Sequence, residues 1–331
     1  MDFYKVYVYM ILFIEAPICA LFIVTIFKKN TEFNENNFFK FLFNLACIQL
    51  CFVGLSIMFP GFRDLILITS READSLVSIS NDYGGLRSFG LASGYTSDLG
   101  MILGIFSMFC LIISLKGKRF SIVLFILSIA FAVGAAINAR VGLFAPIFTV
   151  ILLCLLFIFN LLSVVRFFVI CAALFLSFII LSGFISFHSI VENFGRLFDM
   201  LDEVLSLISG NRVGTFKTLE LMHFFPKDPM HFWFGTGKNV FNNDKGFGSD
   251  IGYVNDIFQI GLINLIVVMS MYIKLNYKSY TLLYERYGFV ALVCLFVSFF
   301  IFYFKGVGLA SNAISNYLVL ISVGMYSLKK R

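Results

Sequence analysis

The chain has 331 residues, 60% of them hydrophobic and only 13% charged, with a net charge of +6. A soluble domain carries about a quarter charged residues, so this chain cannot cover itself with polar surface and needs a bilayer as its solvent. The basic excess gathers in short loops at the ends of apolar runs, which removes nucleic acid as the reason for the charge.

The apolar runs predict an all-α, polytopic integral membrane protein with about nine or more transmembrane helices and a large external loop containing amphipathic helices. The expected spans cover 6–27, 39–58, 97–115, 120–138, 142–160, 167–186, 255–273, 288–304 and 310–327. They form one transmembrane domain over 1–331, with a first external loop at 59–96 and the large external loop at 187–254. The first run, Val6 to Phe27, is long enough to span and lacks a small-residue cleavage site, so it reads as a helix and not as a signal peptide. Lys28/Lys29/Lys40, Lys116/Lys118/Arg119, Arg166, Lys274/Lys278/Arg286 and Lys329/Lys330/Arg331 fall on one side if the spans alternate. The positive-inside rule makes that side the cytoplasm, with the N-terminus outside and the C-terminus inside.

Glu15, two residues before Pro17, is expected to face the bundle interior or be protonated, with a helix-packing hydrogen bond at a proline kink the favoured reading. Asn44 and Gln49 in the second span read as interhelical hydrogen bonders. In the first external loop, Gly84-Gly85-Leu86-Arg87 can form an anion-binding concavity or an ordinary turn. Glu72 and Asp74 can bind a divalent metal or belong to a solvated charge cluster with Arg71. Arg140 sits in a very short external hairpin between the fourth and fifth spans. It either snorkels at a helix end or presents its planar fork to a phosphate, and both readings stay open. The seven cysteines all fall in apolar runs without C-x-x-C spacing, so neither a zinc site nor a disulfide framework is expected.

The stretch from His188 to Asp256 collects all three histidines, His188, His223 and His231. Residues 189–208 alternate as an amphipathic helix that Ser209-Gly210 stops. A second helix is expected to start at Asn211, which puts Arg212 in a first turn whose N–H groups also favour an anion. Pro226, Pro229 and the glycines predict loop over 226–250. His223 and His231 lack the helical spacing of a metal pair. Asp250 can cap the seventh span or accept a proton, and spacing alone favours capping.

The order of short motifs then resembles one family. Arg87-x-x-Gly90-Leu91 precedes a span, Ala139-Arg140-x-Gly142-Leu143 joins two spans, and Gly210-Asn211-Arg212 opens the late loop. Phe234-Gly235-Thr236-Gly237, Asp250-x-Gly252-Tyr253 and Gly261-Leu262 follow. This layout resembles the Wzy-type O-antigen polymerases and, more distantly, the O-antigen ligases of Gram-negative bacteria. The resemblance implies a metal-independent glycosyltransferase of the GT-C type in the bacterial inner membrane. Its active site faces the periplasm, which makes 187–254 a periplasmic loop. Its implied substrate is undecaprenyl-pyrophosphate-linked oligosaccharide, with no cofactor, no metal and no nucleic acid, and with a chain-length regulator protein as a candidate partner. Arg140 and Arg212 would meet the pyrophosphate, with Arg87 a third candidate. Asp250 would serve as base with His223 and His231 as rivals, and Tyr253 would stack on sugar. In ligases a histidine stands where this chain has Asp250, which favours polymerase. Three other readings compete. They are transfer to a lipid A core by a ligase, a lipid-linked oligosaccharide flippase, and a metal-dependent transferase using Glu72 and Asp74. The flippase reading is weakened by spans almost free of charge apart from Glu15 and by the lack of an internal repeat.

Overall fold

A computed structural model describes residues 9–27, 35–69, 77, 90–91, 98–116, 121–158, 206, 209, 217, 220–237, 240, 248–249, 251–305, 309 and 313–329. Every element among them is helical. The helices are α1 (Ala16–Phe27), α2 (Glu35–Met58), α3 (Pro60–Thr69), α4 (Asp98–Lys116), α5 (Ile122–Asn138) and α6 (Phe144–Ile158), followed by α7 (Pro229–Phe234), α8 (Gly252–Tyr287), α9 (Phe289–Lys305) and α10 (Ala313–Lys329). Helices satisfy every backbone group within one segment, which is why apolar runs that meet lipid take this form. Three of them contain stretches long and apolar enough to cross a bilayer: Lys40–Met58, Asp98–Leu115 and Gly252–Tyr277. Five shorter apolar helices accompany them. The expected span at 167–186 lies outside the described residues.

Several expectations need correction. The Pro17 ring removes a donor, and the helix widens before it. Ile11–Glu15 forms a π-turn in which the Ala16 N–H donates to the Ile11 carbonyl. Glu15 on this turn is exposed and does not face the bundle interior. Asn44 is also exposed, and Gln49 Oε1 accepts from the Leu91 N–H. The region after the seventh span is not a loop. α8 runs on through Lys274, Lys278 and Arg286 to Tyr287, because lysine and arginine are good helix formers once the chain leaves the hydrocarbon. The reading of 226–250 as loop fails at α7, where Pro229 occupies the first helical position and Asp228 caps it.

The core is built between helices. Leu12, Met101, Met108, Tyr272, Leu295, Phe302 and Val319 belong to one buried cluster that joins α4, α8, α9 and α10 to the turn before α1. Outward faces carry Phe22, Ile126, Ile266 and Phe300, each more than half exposed, as helices solvated by lipid require. α4 and α5 pack closest. Ser107 Oγ donates to the Ser128 carbonyl at 2.7 Å and Ser128 Oγ returns to the Ser107 carbonyl at 2.8 Å. A second polar link holds α8 to α10, where Ser322 Oγ donates to Asn276 Oδ1 at 2.8 Å. Small and polar contacts of this kind hold helices together where lipid removes the hydrophobic drive.

Candidate functional site

The head of α8 is the meeting point. Ser249 is fully buried and ties three strands of chain together. Its N–H donates to the Val240 carbonyl at 3.0 Å and its hydroxyl donates to the Met222 carbonyl at 2.9 Å. The Ile251 N–H donates back to Ser249 Oγ at 3.2 Å, and Asn255 Nδ2 reaches the Ser249 carbonyl. The N-cap residue of α8 is Ile251, the residue that follows Asp250 in the sequence.

Met222 leads into His223, and this brings two of the sequence-nominated residues together. The Tyr253 hydroxyl lies 2.7 Å from Nδ1 and 2.9 Å from Nε2 of the exposed His223 ring. Phe304 packs against both rings, with centroids 5.1 Å from His223 and 5.6 Å from Tyr253. Phe225 extends the aromatic surface towards Phe232. A solvent-exposed imidazole on a phenol can take up or release a proton, and the surrounding rings offer flat faces to a sugar. His231 goes elsewhere. It pairs with Asp228, its Nδ1 lying 3.3 Å from Oδ2 of the residue that caps α7, and both side chains are exposed. It makes no hydrogen bond to His223 or Tyr253.

One charged group of the site was missed from sequence. Asp256 is fully buried on α8, one turn after Tyr253. Its Oδ2 accepts from the Tyr303 hydroxyl at 2.9 Å and from the Leu309 N–H at 2.8 Å. The statement that the spans hold almost no charge besides Glu15 is therefore wrong, since Asp256 lies within the expected span 255–273. An ionisable residue inside an apolar run was the available signal. The Tyr303 ring meets the half-buried Tyr253 ring edge-on, with centroids 6.1 Å apart, so the buried carboxylate stands behind the His223–Tyr253 contact.

The Phe234-Gly235-Thr236-Gly237 motif has a structural task. α8 is broken at Gly261, whose φ of 79° and ψ of 164° suit only glycine. The break frees carbonyls of the preceding turn. Thr236 donates its N–H at 2.6 Å and its hydroxyl at 2.8 Å to the Phe258 carbonyl, and the Gly237 N–H donates to the Gln259 carbonyl at 3.1 Å. A Cβ on Gly235 would come within 2.6 Å of both the Gln259 carbonyl oxygen and the Gly261 nitrogen, so backbone rests on backbone.

Arg140 opens a 3-10 turn, Arg140–Leu143, after Ala139 leaves α5 in an extended conformation. The turn is held from the side by α4. A Cβ on Gly100 would approach Ala139 Cβ to 2.6 Å, and a Cβ on Gly104 would land on the Gly142 carbonyl. The pair Gly100-x-x-x-Gly104 is a legible small-residue signature that the sequence reading passed over. Val141 and Tyr253 pack against the same buried cluster, so the Arg140 turn and the head of α8 share one core. Of the Arg87-x-x-Gly90-Leu91 element, Gly90 and Leu91 are described, and Gln49 Oε1 of α2 accepts from the Leu91 N–H at 3.2 Å.

Arg87, Arg212 and Asp250 lie outside the described residues, as do Glu72, Asp74 and most of the expected helices at 189–208 and from 211; of Arg140 only the backbone is described. Among the described residues no group of three or more His, Cys, Asp or Glu side chains converges. No protein-family model matches the chain, and no curated protein or solved structure matches it.

Proposed function

We propose that this membrane protein is a metal-independent glycosyltransferase that polymerises oligosaccharide repeat units carried on undecaprenyl pyrophosphate, at the periplasmic face of a bacterial inner membrane. The observation that carries the reading is the His223–Tyr253 contact at the head of α8, on the same core as the Arg140 turn. An acceptor sugar hydroxyl attacks C1 of the donor glycan, and the bond from C1 to the pyrophosphate oxygen breaks. The hydroxyl proton passes to a base, and pyrophosphate leaves on its lipid as the anion. His223 takes the proton in this scheme, with Asp250 the alternative acceptor. Tyr253 orients the imidazole, and Arg140 and Arg212 stabilise the charge that grows on the leaving group. Pyrophosphate is already a good leaving group, so no strong acid is required.

The test uses the purified protein in proteoliposomes supplied with lipid-linked repeat units. Arg140→Ala, Arg212→Ala and His223→Ala should each lower the rate of chain growth by about two to three orders of magnitude, the usual effect of removing one charge-stabilising or proton-transferring group. His223 is exposed, so its loss should leave the fold intact. Normal polymer length from well-expressed arginine variants would overturn the assignment. Activity that EDTA abolishes and a divalent cation restores would move the chemistry to a metal-dependent transferase.

A further inference from the structure

α7 is short, yet its exposed residues are not mixed. Met230, Trp233 and Phe234 fall at i, i+3 and i+4, the spacing of one helical face, and they are 66%, 45% and 58% exposed. No residue of α7 is buried. Phe232 turns the other way, onto Phe225. The polar groups collect at the start, where Lys227 and Asp228 are exposed and Asp228 pairs with His231.

The depth of this face follows from α8. The end of α7 rests on Gly261, backbone against backbone. Lys274, the first charged residue after Gly261, lies thirteen positions further along the chain. At about 1.5 Å per residue that is about 20 Å. A hydrocarbon layer about 30 Å thick, entered at Lys274, therefore closes about 10 Å beyond Gly261. The end of α7 lies inside that layer, not above it. Ile263, Ile266 and Val267 of α8, immediately past the break, are likewise exposed.

We propose that Pro229–Gly237 is a re-entrant element that dips into the leaflet opposite Lys274 and sets Met230, Trp233 and Phe234 among the acyl chains of that leaflet. Non-helical backbone survives at such depth only where its polar groups are satisfied by protein. The Gly261 break meets this condition, because the carbonyls of Phe258 and Gln259 take the N–H groups of Thr236 and Gly237. Lys227, Asp228 and His231 then remain nearer the headgroups. The proposal concerns the bilayer as partner and does not depend on the reaction.

The chain has a single tryptophan, so Trp233 reports on this face without any substitution. The full-length protein is reconstituted into vesicles of phosphatidylcholine brominated near the carbonyl end or near the methyl end of the acyl chain. Blue-shifted emission, with most of the intensity lost to the shallow bromines, less lost to the deep ones and little lost to aqueous iodide, is the expected result. Red-shifted emission quenched by iodide and untouched by bromolipid would place the face in water and overturn the proposal. Blue-shifted emission that neither quencher reaches would overturn it as well, since Trp233 would then lie beneath protein.

Discussion

The Ala139–Gly142 turn and the Phe234–Gly237 turn are both pressed against a neighbouring helix, and they are held there in opposite ways. The first is held by absence. Gly100 and Gly104 clear a channel on α4 into which the backbone of residues 139–142 settles. The second is held by exchange. α8 gives up its own pairing at Gly261, and Thr236 and Gly237 replace it. Between helices in lipid there is no hydrophobic gain from contact, so close backbone approach and hydrogen bonds are the two means that remain. Each is used at a different wall of the candidate site. A turn held by space should fail abruptly when the space is filled, and a turn held by several hydrogen bonds should weaken by degrees.

Filling the space is the harshest test. Gly104→Leu places a branched side chain where the Gly142 carbonyl already lies, and neither backbone can retreat without opening the reciprocal Ser107–Ser128 link. Overpacking commonly costs about 1–3 kcal/mol and more where the obstacle is backbone. The expected outcome is a collapse of folded yield by size-exclusion chromatography in detergent, with none of the proposed transferase activity left to measure. A folded and active variant would mean that α4 and the Arg140 turn are free to separate.

The matching change on the other wall is Gly261→Ala. It forces a side chain into a conformation reserved for glycine, worth about 1–3 kcal/mol, and aims a methyl group at the Gly235 nitrogen. α8 should survive as helix while α7 is displaced. Faster proteolytic cleavage between Pro226 and Gly237, with the rest of the bundle intact, would register this. Unchanged cleavage would show that the docking does not depend on the break.

Asp256→Ala probes the hydrogen-bonded wall more mildly. The Tyr303 hydroxyl and the Leu309 N–H lose a shared acceptor in a buried place. Leaving such groups unsatisfied costs about 1–3 kcal/mol each at most. A lower midpoint of thermal unfolding is expected, partly recovered by Asp256→Asn, which keeps an acceptor oxygen. Equal losses for the two variants would mean that the charge, and not the oxygen, is what holds Tyr303.

How much of this was readable in advance differs between the two walls. The helical, membrane-like character was legible because apolar runs of such length are scarce outside membranes, and three of the helices are long and apolar enough to cross a bilayer. Their ends were not, since α8 continues through Lys274 and Lys278, residues that favour a helix as readily as they mark a loop. The Arg140 turn was located by its position between two runs, but its clamp was overlooked although Gly100 and Gly104 stand four apart in plain sequence. At the other wall, Asp228-Pro229 carried a helix-start signal that the density of prolines and glycines masked. His223 and Tyr253 are thirty residues apart, and nothing local in either segment announces that they touch. The carboxylate that the resemblance nominated as base was Asp250, which spacing alone assigned to a cap. The carboxylate whose place the structure describes is Asp256, six residues on and buried behind Tyr303.

Thr236→Val is the gentlest way to separate the parts of the second wall. The substitution keeps the branched shape and removes only the hydroxyl that donates to Phe258 at 2.8 Å. The same carbonyl still receives the Thr236 N–H, and Gln259 still receives that of Gly237. No acceptor is orphaned, so the loss is that of one hydrogen bond, about 0.5–1.5 kcal/mol. The comparison with Gly261→Ala is then decisive. If the valine variant resists proteolysis almost as well as the parent while the alanine variant does not, the backbone pairs carry the docking. If both are cleaved alike, the hydroxyl is the holding group, and the glycines serve only to let it approach.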